Sequence, residues 1–252
     1  ELSVVLPDPP AIERAGLKAW PGIEVEWDGQ WVRRASNGYT KRANSVQCFD
    51  PADDGDLPAR VAAARSWFEA RGLPAVFRVN LLTGPTLAAH LDAEGWISDS
   101  PSKLMAMPLA AFEPDPRGEI LAVDDPAFLA VQQQLRHYDD DRMARLRALL
   151  AMLQVPACGI VLRDVGGKAV CTALMAIADG IVVTGNVVTD SAERRKGYAA
   201  AMMRTGLAWA REAGASAAAL NVEADNAPAV RLYQGLGYRP QYDYVYRMPA
   251  QS

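Results

Sequence analysis

The sequence predicts an α/β protein with a mixed sheet, in which one arrangement of helices and strands occurs twice. Helical and strand patterns alternate along most of the 252 residues, a length sufficient for one large domain or two small ones. Landmark residues recur 142 positions apart, and repetition at a fixed offset indicates one fold used twice. The pairs are Trp67 and Trp209, Gly72 and Gly214, Gly95 and Gly237, and Trp96 and Tyr238. A proline-containing linker at 108–116 separates the halves, so we predict lobes at 1–113 and 118–252.

In the first half, alternating apolar and polar residues predict strands, and apolar residues at helical spacing predict helices. Gly72 and Gly95 are expected to end two of the helices. The pair Asn37-Gly38 suits a two-residue hairpin turn, which would join strands at 31–35 and 39–46. The other predicted elements are helix 11–19, a half-buried strand at 23–28, helix 57–71, strand 74–81, helix 86–93 and a strand or hairpin at 96–107.

The second half restarts the pattern after the linker. Asp125-Pro126 opens a helix with proline at a tolerated early position, and Gly166-Gly167 is expected to join two antiparallel strands. The predicted elements are strand 120–123, helices 125–135 and 143–153, strands 158–162, 170–178 and 181–189, helix 199–213, strand 217–223, helix 227–236 and strand 242–248.

Composition excludes several classes of protein. Net charge is −4 with 22% charged residues, so we expect no nucleic-acid partner, which would need a clustered excess of cations. No apolar run reaches the roughly 18 residues of a membrane span, and we expect no membrane association. Three separated cysteines without a Cys-x-x-Cys pair support neither a disulfide framework nor a metal site; buried thiols in the cytoplasm are expected. The chain begins at Glu1 rather than methionine, which is compatible with removal of an upstream segment.

One stretch of the second half has the character of an anion site. A β-rich run ends at Thr189, and three consecutive cations, Arg194, Arg195 and Lys196, lead into Gly197 and an alanine-rich helix. The first N–H groups of a helix have no partner within the helix and can bind an anion. Glycine lets that anion approach the backbone. This stretch alone is equally compatible with an ordinary solvated helix start.

The stretch and a second block downstream together resemble the GNAT superfamily of acyl-CoA-dependent N-acyltransferases. The pyrophosphate loop of that superfamily reads Arg/Gln-x-x-Gly-x-Gly/Ala, and here it reads Arg194-x-x-Gly197-x-Ala199. The downstream block consists of Asn226, Leu232, Tyr233, Gly237 and Tyr238. Both blocks occur in order across one helix and one strand. The resemblance implies a tandem GNAT fold with a complete C-terminal lobe, acetyl-CoA as co-substrate and no metal.

The resemblance also implies residue roles. The end of the strand before the loop would hold the pantetheine arm, and the loop would bind the pyrophosphate mainly through main-chain N–H groups. Tyr233 would act as general acid toward the departing sulfur; the alternative is a core tyrosine. Asn226 would contact the CoA arm or cap the next helix. The implied cofactor-binding residues are Val187, Val188, Thr189, Arg194, Arg195, Lys196, Gly197, Tyr198, Ala199 and Asn226.

The general base is less well defined by the sequence. Glu223 ends the strand before Asn226 and is a candidate, although a surface carboxylate is the more ordinary interpretation and a relayed water is our default. His137 could titrate near neutrality, in a loop that commonly lines the acceptor pocket of GNAT enzymes. The acidic residues 139–141 either attract a cationic amine or cap the following helix.

The 142-residue offset predicts that the first lobe is degenerate. It places Ala52 at the position of Arg194 and Leu91 at that of Tyr233. Four carboxylates would then face a pyrophosphate, and like charges repel strongly at short range; helix N-capping is their expected role. They are Asp50, Asp53, Asp54 and Asp56. The basic residues Arg33, Arg34, Lys41 and Arg42 are expected on a solvated strand face rather than at an anion site.

These observations predict an N-acetyltransferase that moves an acetyl group from acetyl-CoA to a primary amine of a small molecule. Two alternatives remain open. The acceptor is a protein N-terminus or lysine, or the protein binds acyl-CoA as a sensor or scaffold without turnover. A monomer or a homodimer is expected.

Overall fold

A computed structural model describes residues 5–250 and contains both helices and strands in regular alternation. The helices are α1 (Pro9–Ala19), α2 (Leu57–Glu69), α3 (Pro85–Ala93), α4 (Pro126–Arg136), α5 (Asp140–Leu150), α6 (Tyr198–Glu212) and α7 (Ala227–Leu236). The strands are β1 (Glu24–Asp28), β2 (Trp31–Ala35), β3 (Val46–Cys48), β4 (Phe77–Val79), β5 (Ile97–Pro108), β6 (Gly118–Leu121), β7 (Ala157–Arg163), β8 (Ala169–Ala178), β9 (Ile181–Thr189), β10 (Ala217–Glu223) and β11 (Arg239–Met248). None of the helices within 5–250 combines the length and the apolar character needed to cross a bilayer.

The chain forms two compact units that draw on separated segments. Of the described residues, the unit we call the C-unit contains 5–21, 105–221 and 227–239, and the N-unit contains 22–104, 222–226 and 240–250. Helix α1 joins the C-unit because it packs against β8 and β9. Strand β11 joins the N-unit because it pairs antiparallel with β4. The predicted lobes at 1–113 and 118–252 describe a sequence repeat and stay a prediction.

In the N-unit, neighbouring strands follow the order β1-β2-β3-β4-β11-β5. Strands β1 and β2 form a hairpin that closes on the two residues between Asp28 and Trp31, and β3 pairs parallel with β4. Helices α2 and α3 contribute Phe68 and Leu91 to an apolar core that also contains the strand residue Phe77. Aromatic rings meet edge to face in this core, with 5.4 Å between the centroids of Phe77 and Trp96.

In the C-unit, the strand order is β10-β9-β8-β7-β6, antiparallel except for the parallel pair β9–β10. Strand β8 is buried along its whole length, because α1, α4 and α6 all pack against it. Gly159 on β7 permits this close approach of α4, since a Cβ there would lie 2.3 Å from the Phe128 ring. The helices thus hold the central strands rigidly, and β9 leads from this core to the candidate site.

The predicted repeat is present in the capping of the helices. Helices α3 and α7 begin 142 residues apart, as do strands β5 and β11, and the capping hydrogen bonds recur at the same offset. At α2 and α6, they run from Gly72 N to Glu69 O (2.9 Å) and Gly214 N to Arg211 O (3.0 Å), and from Leu73 N to Phe68 O (3.0 Å) and Ala215 N to Ala210 O (2.9 Å). At α3 and α7, they run from Gly95 N to Asp92 O (3.0 Å) and Gly237 N to Gln234 O (3.1 Å), and from Trp96 N to Leu91 O and Tyr238 N to Tyr233 O (both 3.0 Å). The four glycines have positive φ, as this type of helix end requires.

The predicted strand at 39–46 is wrong. Residues 36–44 form a loop with a 3₁₀ turn at Lys41–Ala43, and the side chain of Asn44 organises it. Asn44 Oδ1 accepts hydrogen bonds from the N–H groups of Ser36 (2.7 Å) and Gly38 (3.0 Å). Its Nδ2 donates to the carbonyls of Tyr39 (3.0 Å) and Thr40 (2.7 Å). These bonds replace the ladder that a hairpin at Asn37-Gly38 would have formed.

Two further expectations about the N-unit are also wrong. Strand β1 is largely exposed rather than half-buried. Arg34 does not lie on a solvated strand face, because it is 1% exposed and donates to the carbonyl of Arg42 (2.7 Å).

The remaining elements are confirmed within a few residues, although β4 is shorter than predicted and β11 begins earlier. The three cysteines are buried thiols, as expected, and burial raises the pKa of Cys48 and Cys158 to about 12.

Candidate functional site

The second half of β9 is not paired with β10, the strand that runs parallel to it. The β9–β10 ladder starts at Ile181 and Ala217 and, among the described residues, ends at the pair Thr184–Leu220. Strand β9 continues to Thr189, half-buried along this part, and stays paired with β8. An unpaired strand edge presents backbone N–H and C=O groups that an extended ligand can bind. The predicted pantetheine residues Val187, Val188 and Thr189 lie on this edge.

A β-bulge marks the point of separation. Leu174 of β8 lies opposite Gly185, whereas Thr172 lies opposite Val188, so that β9 has one extra residue. Asn186 within the bulge has φ of 51°, a left-handed conformation that asparagine tolerates better than most residues. A bulge bends its strand and redirects the residues that follow. The bulge therefore determines how the last three residues of β9 are presented.

Two side chains of α4 hold the bulge from one side, and sequence reasoning missed both. Gln132 Nε2 donates to the carbonyl of Asn186 (3.3 Å) and to Thr172 Oγ1 (3.3 Å). Arg136, one turn later, donates through Nη1 to the carbonyl of Val187 (3.5 Å). A signal was available, because Gln132 lies among apolar residues on the buried face of α4.

The predicted anion loop follows β9 directly. The carboxylate of Asp190 accepts a hydrogen bond from Ala192 N (3.0 Å) and opens a 3₁₀ turn at Ser191–Glu193. Gly197 has φ of 79° and occupies the N-cap position of α6, where no side chain caps the helix. A Cβ at this position would meet nothing within 4 Å. The start of α6 is thus open to a ligand, as an anion site at a helix N-terminus requires.

Ion pairs cross-link this loop. Lys196 pairs with Glu193 (2.7 Å), and Lys168, from the turn between β7 and β8, pairs with Asp190 (2.7 Å) and lies 3.7 Å from Glu193. The hydrogen bond from Lys168 is the main reason that the pKa of Asp190 is lowered. Sequence reasoning identified Lys196 but missed Lys168, which is far from the loop in sequence. Arg194 and Arg195 are exposed.

Tyr233 lies on α7 and is buried, with 6% of its surface exposed. Its ring meets that of Tyr238 edge to face, with centroids 5.9 Å apart. Burial raises the pKa of the Tyr233 hydroxyl to about 12, and the nearby Cys171 adds to this rise. The group therefore keeps its proton at neutral pH, as a general acid must, and a core tyrosine would have the same environment. Its role stays a prediction.

Glu223 and Asn226 lie in the short segment 222–226 of the N-unit and are exposed. The N–H of Asn226 donates to the carbonyl of Glu223 (3.1 Å), which forms a turn between β10 and α7. Asn226 immediately precedes α7, at the position where a capping residue is expected. The roles of both residues stay predictions.

The residues between α4 and α5 end the first helix and begin the second. His137 ends α4 with φ of 56° and is exposed. Asp139 accepts a hydrogen bond from Arg142 N (2.8 Å) as the N-cap of α5. Asp140 accepts from Gln133 Nε2 (3.0 Å), and Asp141 pairs with Arg145 (2.9 Å). The capping interpretation is therefore confirmed for Asp139, whereas Asp140 and Asp141 bond to other side chains. Among the described residues, no cluster of His, Cys, Asp or Glu has the form of a metal site.

The loop of the N-unit that corresponds to the anion loop, residues 50–56, is held by ion pairs within that unit. Arg60 donates to both carboxylate oxygens of Asp53 (2.9 and 3.1 Å) and to Asp28 (2.9 Å), and its guanidinium lies 4.0 Å from the centroid of the Trp31 ring. These bonds, with the hydrogen bond from Arg60 as the largest cause, lower the pKa of Asp53. The predicted capping by Asp56 is wrong, because its side chain makes no capping bond. Asp56 has a left-handed backbone with φ of 54°, whereas an N-cap residue normally has an extended one.

The whole chain has relatives that can be compared with this geometry. The sequence family described as "Probable histone acetyltransferase Rv0428c C-terminal" matches residues 9–247. The chain is 26% identical over 245 residues to the "Uncharacterized N-acetyltransferase YobR" of Bacillus subtilis (strain 168), an alignment that covers 94% of this chain and 97% of YobR.

Solved structures with the same fold include a GCN5-related N-acetyltransferase from Kribbella flavida, at 22% identity with a TM-score of 0.69, covering 96% of this chain and 94% of that one. A tandem GNAT protein from the clavulanic acid biosynthesis pathway is similar over 82% of this chain and 76% of its own, at 14% identity with a TM-score of 0.62. At these identities the likeness concerns the fold alone, and it confirms the predicted GNAT fold class. Because one family matches nearly every described residue, the chain belongs to the family described as "Probable histone acetyltransferase Rv0428c C-terminal" and is an N-acetyltransferase of the GNAT superfamily.

Proposed function

We propose that the protein transfers an acetyl group from acetyl-CoA to a primary amine of a small molecule. One observation carries this proposal: the end of β9, whose edge toward β10 is unpaired, leads within a few residues to the open start of α6. An extended arm with a pyrophosphate at its end needs this combination of a free strand edge and an anion site. Coenzyme A has that form, and as acetyl-CoA it supplies the acyl group as an activated thioester.

The residues divide the binding between them. Val187, Val188 and Thr189 would hydrogen-bond the pantetheine arm along the strand edge. The main-chain N–H groups from Arg194 to Ala199 would bind the pyrophosphate, with added attraction from the three cations. The space beside Gly197 is open, so phosphate oxygens can approach the backbone. The acidic loop of the N-unit offers no comparable site, because Asp53 and Arg60 pair with each other.

The proposed transfer is direct. The amine nitrogen bonds to the carbonyl carbon, the carbon–sulfur bond breaks, and Tyr233 donates its proton to the departing sulfur. The proton released by the amine passes to a relayed water, with Glu223 as the alternative base. The products are an acetylated amine and CoA, and Tyr233 regains a proton from solvent, which balances the proton that the amine released. We further propose that the protein acts in the cytoplasm, as a monomer or a homodimer, without nucleic acid or membrane as a partner.

A protein acceptor is a second candidate, because the matching family is described as a probable histone acetyltransferase. The two proposals differ in where the acetylated amine is found. Purified protein with acetyl-CoA should release CoA, detected by a thiol reagent, in the presence of small primary amines. Release only with lysine-containing or N-terminal peptides would favour the protein acceptor. Tight CoA binding without release for any acceptor would contradict both and favour a non-catalytic sensor.

The ion pairs of the anion loop lead to a specific prediction. Glu193→Gln removes one negative charge beside the proposed pyrophosphate position and releases Lys196. We expect the Kd for CoA, measured by calorimetry at low salt, to fall by roughly two- to fivefold, the range of an exposed ion pair. The gain should shrink as salt is added. Asp141→Asn, which removes a more exposed negative charge on α5, should leave the Kd unchanged. A weaker affinity in Glu193→Gln would contradict the proposed charge balance.

A further inference from the structure

We propose that Gln132 is a positioning residue for acyl transfer, whose buried amide sets the bulge of β9 and thereby directs the N–H of Val187 toward the thioester carbonyl. The inference rests on the proposed function, since it assumes that the donor substrate lies along the edge of β9. It assigns a task to a side chain that lies on a helix, outside the loop and the strand already described.

The amide of Gln132 is fully buried and uses both of its polar atoms at the bulge. Nε2 donates to Asn186 O and Thr172 Oγ1, both at 3.3 Å, and Oε1 lies 3.5 Å from Asn186 Nδ2. Thr172 Oγ1 itself donates to Ile160 O (2.7 Å), which leaves its oxygen available as the acceptor for Gln132. A buried amide is costly unless it is hydrogen-bonded. Here it joins α4, β7, β8 and β9 at one point.

The network stabilises a backbone conformation that is otherwise unfavourable. Asn186 has φ of 51°, a left-handed conformation that is unfavourable for residues with a Cβ, although less so for asparagine than for most. The surrounding contacts must compensate for such a conformation, and conformations of this kind are concentrated at functional sites. Gln132 binds both the main chain and the side chain of Asn186, so it is suited to maintain it.

The geometry of the peptide bond transmits this constraint to Val187. In a trans peptide the C=O of one residue and the N–H of the next point in opposite directions. When Gln132 binds the carbonyl of Asn186 from the side of α4, the N–H of Val187 must therefore point away from α4. Arg136 applies the same constraint one residue later through the carbonyl of Val187. Backbone N–H groups fixed in this way can stabilise the negative charge that develops on a reacting carbonyl oxygen.

Three consecutive glutamines allow a matched test. Gln132→Leu removes the amide, while Gln134→Leu makes the same change at the exposed position two residues later. We expect Gln132→Leu to lower kcat about tenfold. Complete loss of one oxyanion donor lowers kcat roughly 100-fold, and in this variant the N–H of Val187 is still present but no longer held in the required direction. The Kd for CoA should change by less than about threefold, because the pyrophosphate loop is untouched. Gln134→Leu should match the wild type in both.

Two further readouts separate positioning from a general loss of stability. The amide resonance of Val187 in a ¹⁵N-correlated spectrum should shift in Gln132→Leu and not in Gln134→Leu. In Gln132→Glu, an ionised carboxylate cannot donate to Asn186 O, whereas the protonated carboxyl can. Its kcat relative to wild type at the same pH should therefore recover as the pH falls.

The outcomes distinguish this inference from the proposed function. If wild-type protein binds CoA and turns over while Gln132→Leu keeps its kcat, the inference is overturned alone. A parallel loss of kcat and CoA affinity that follows the fall in Tm would also overturn it, because the residue would then act only on stability. Failure of the wild-type protein to bind CoA would overturn the proposed function, and this inference with it.

Discussion

Replacing Tyr233 with phenylalanine is expected to slow acetyl transfer by about 100-fold or more, while the affinity for CoA changes by less than about twofold. The change removes the hydroxyl proton and leaves the ring, which packs edge to face against Tyr238. The departing thiolate would then have to leave unprotonated or take its proton from water. Steady-state measurement of CoA release, together with calorimetric titration of CoA, separates the two effects.

The pH dependence follows from the environment of the same group. Burial raises the pKa of Tyr233 to about 12, so its neutral form, which can donate a proton, is present below that value and is lost only above it. Activity should therefore show no fall attributable to Tyr233 up to about pH 10. A decline of kcat near the ordinary tyrosine pKa, abolished in Tyr233→Phe, would mean that the group is more accessible to water than its burial indicates.

Tyr238→Phe is the matched control. Tyr238 lies in the same unit as Tyr233 and contacts its ring, but it is fully buried, and burial raises its pKa even further. It offers no proton to a substrate, so its loss should affect Tm more than kcat. Equal activity of Tyr233→Phe and wild type would remove Tyr233 from the mechanism.

Gly197→Ala is expected to weaken CoA binding by roughly 30-fold. A left-handed backbone conformation costs a residue with a side chain roughly 1–2 kcal/mol. If the loop of Gly197→Ala relaxes to avoid this conformation, recovering it on binding would weaken the affinity for CoA by about tenfold. The φ of Gly197 is 79°. The added methyl group would also point into the open space through which we propose that the pyrophosphate reaches the backbone.

Gly214→Ala controls for backbone strain, because Gly214 follows the other end of α6 with φ of 98° and open space around it. Both variants should lose a similar amount of stability in thermal unfolding. Only Gly197→Ala should lose affinity for CoA in calorimetry. A comparable loss of affinity in Gly214→Ala would show that the effect arises from the stability of α6 and not from the loop.

The parts of the fold that depend on local chemistry could be predicted from the sequence. Gly72, Gly95, Gly214 and Gly237 end their helices with positive φ, a property that glycine alone confers at low cost. The N-caps Asp125 and Asp139 were predictable because a carboxylate before a helix can accept the free N–H groups of its first turn. Helix ends of this type require glycine each time they occur. The constant offset between the two halves is therefore visible in the sequence.

The features that sequence reasoning missed depend on contacts between distant segments. Gln132 reaches Asn186 across 54 positions, and no local pattern records that α4 would bring it there. The loop at 36–44 is organised by one asparagine side chain rather than by its turn residues. The pairing of β11 with β4 moves the end of the chain into the N-unit, which the order of elements alone does not reveal.

A crystal structure of the protein with CoA would show directly where the co-substrate binds. We expect one CoA per chain, with its pantetheine arm beside Val187–Thr189 and its pyrophosphate within hydrogen-bond distance of the main-chain N–H groups at Lys196 and Gly197. No CoA should lie at the acidic loop of the N-unit, where Asp53 pairs with Arg60. CoA bound beside Asp53 and Asp54, or held without contact to the backbone at the start of α6, would contradict this expectation.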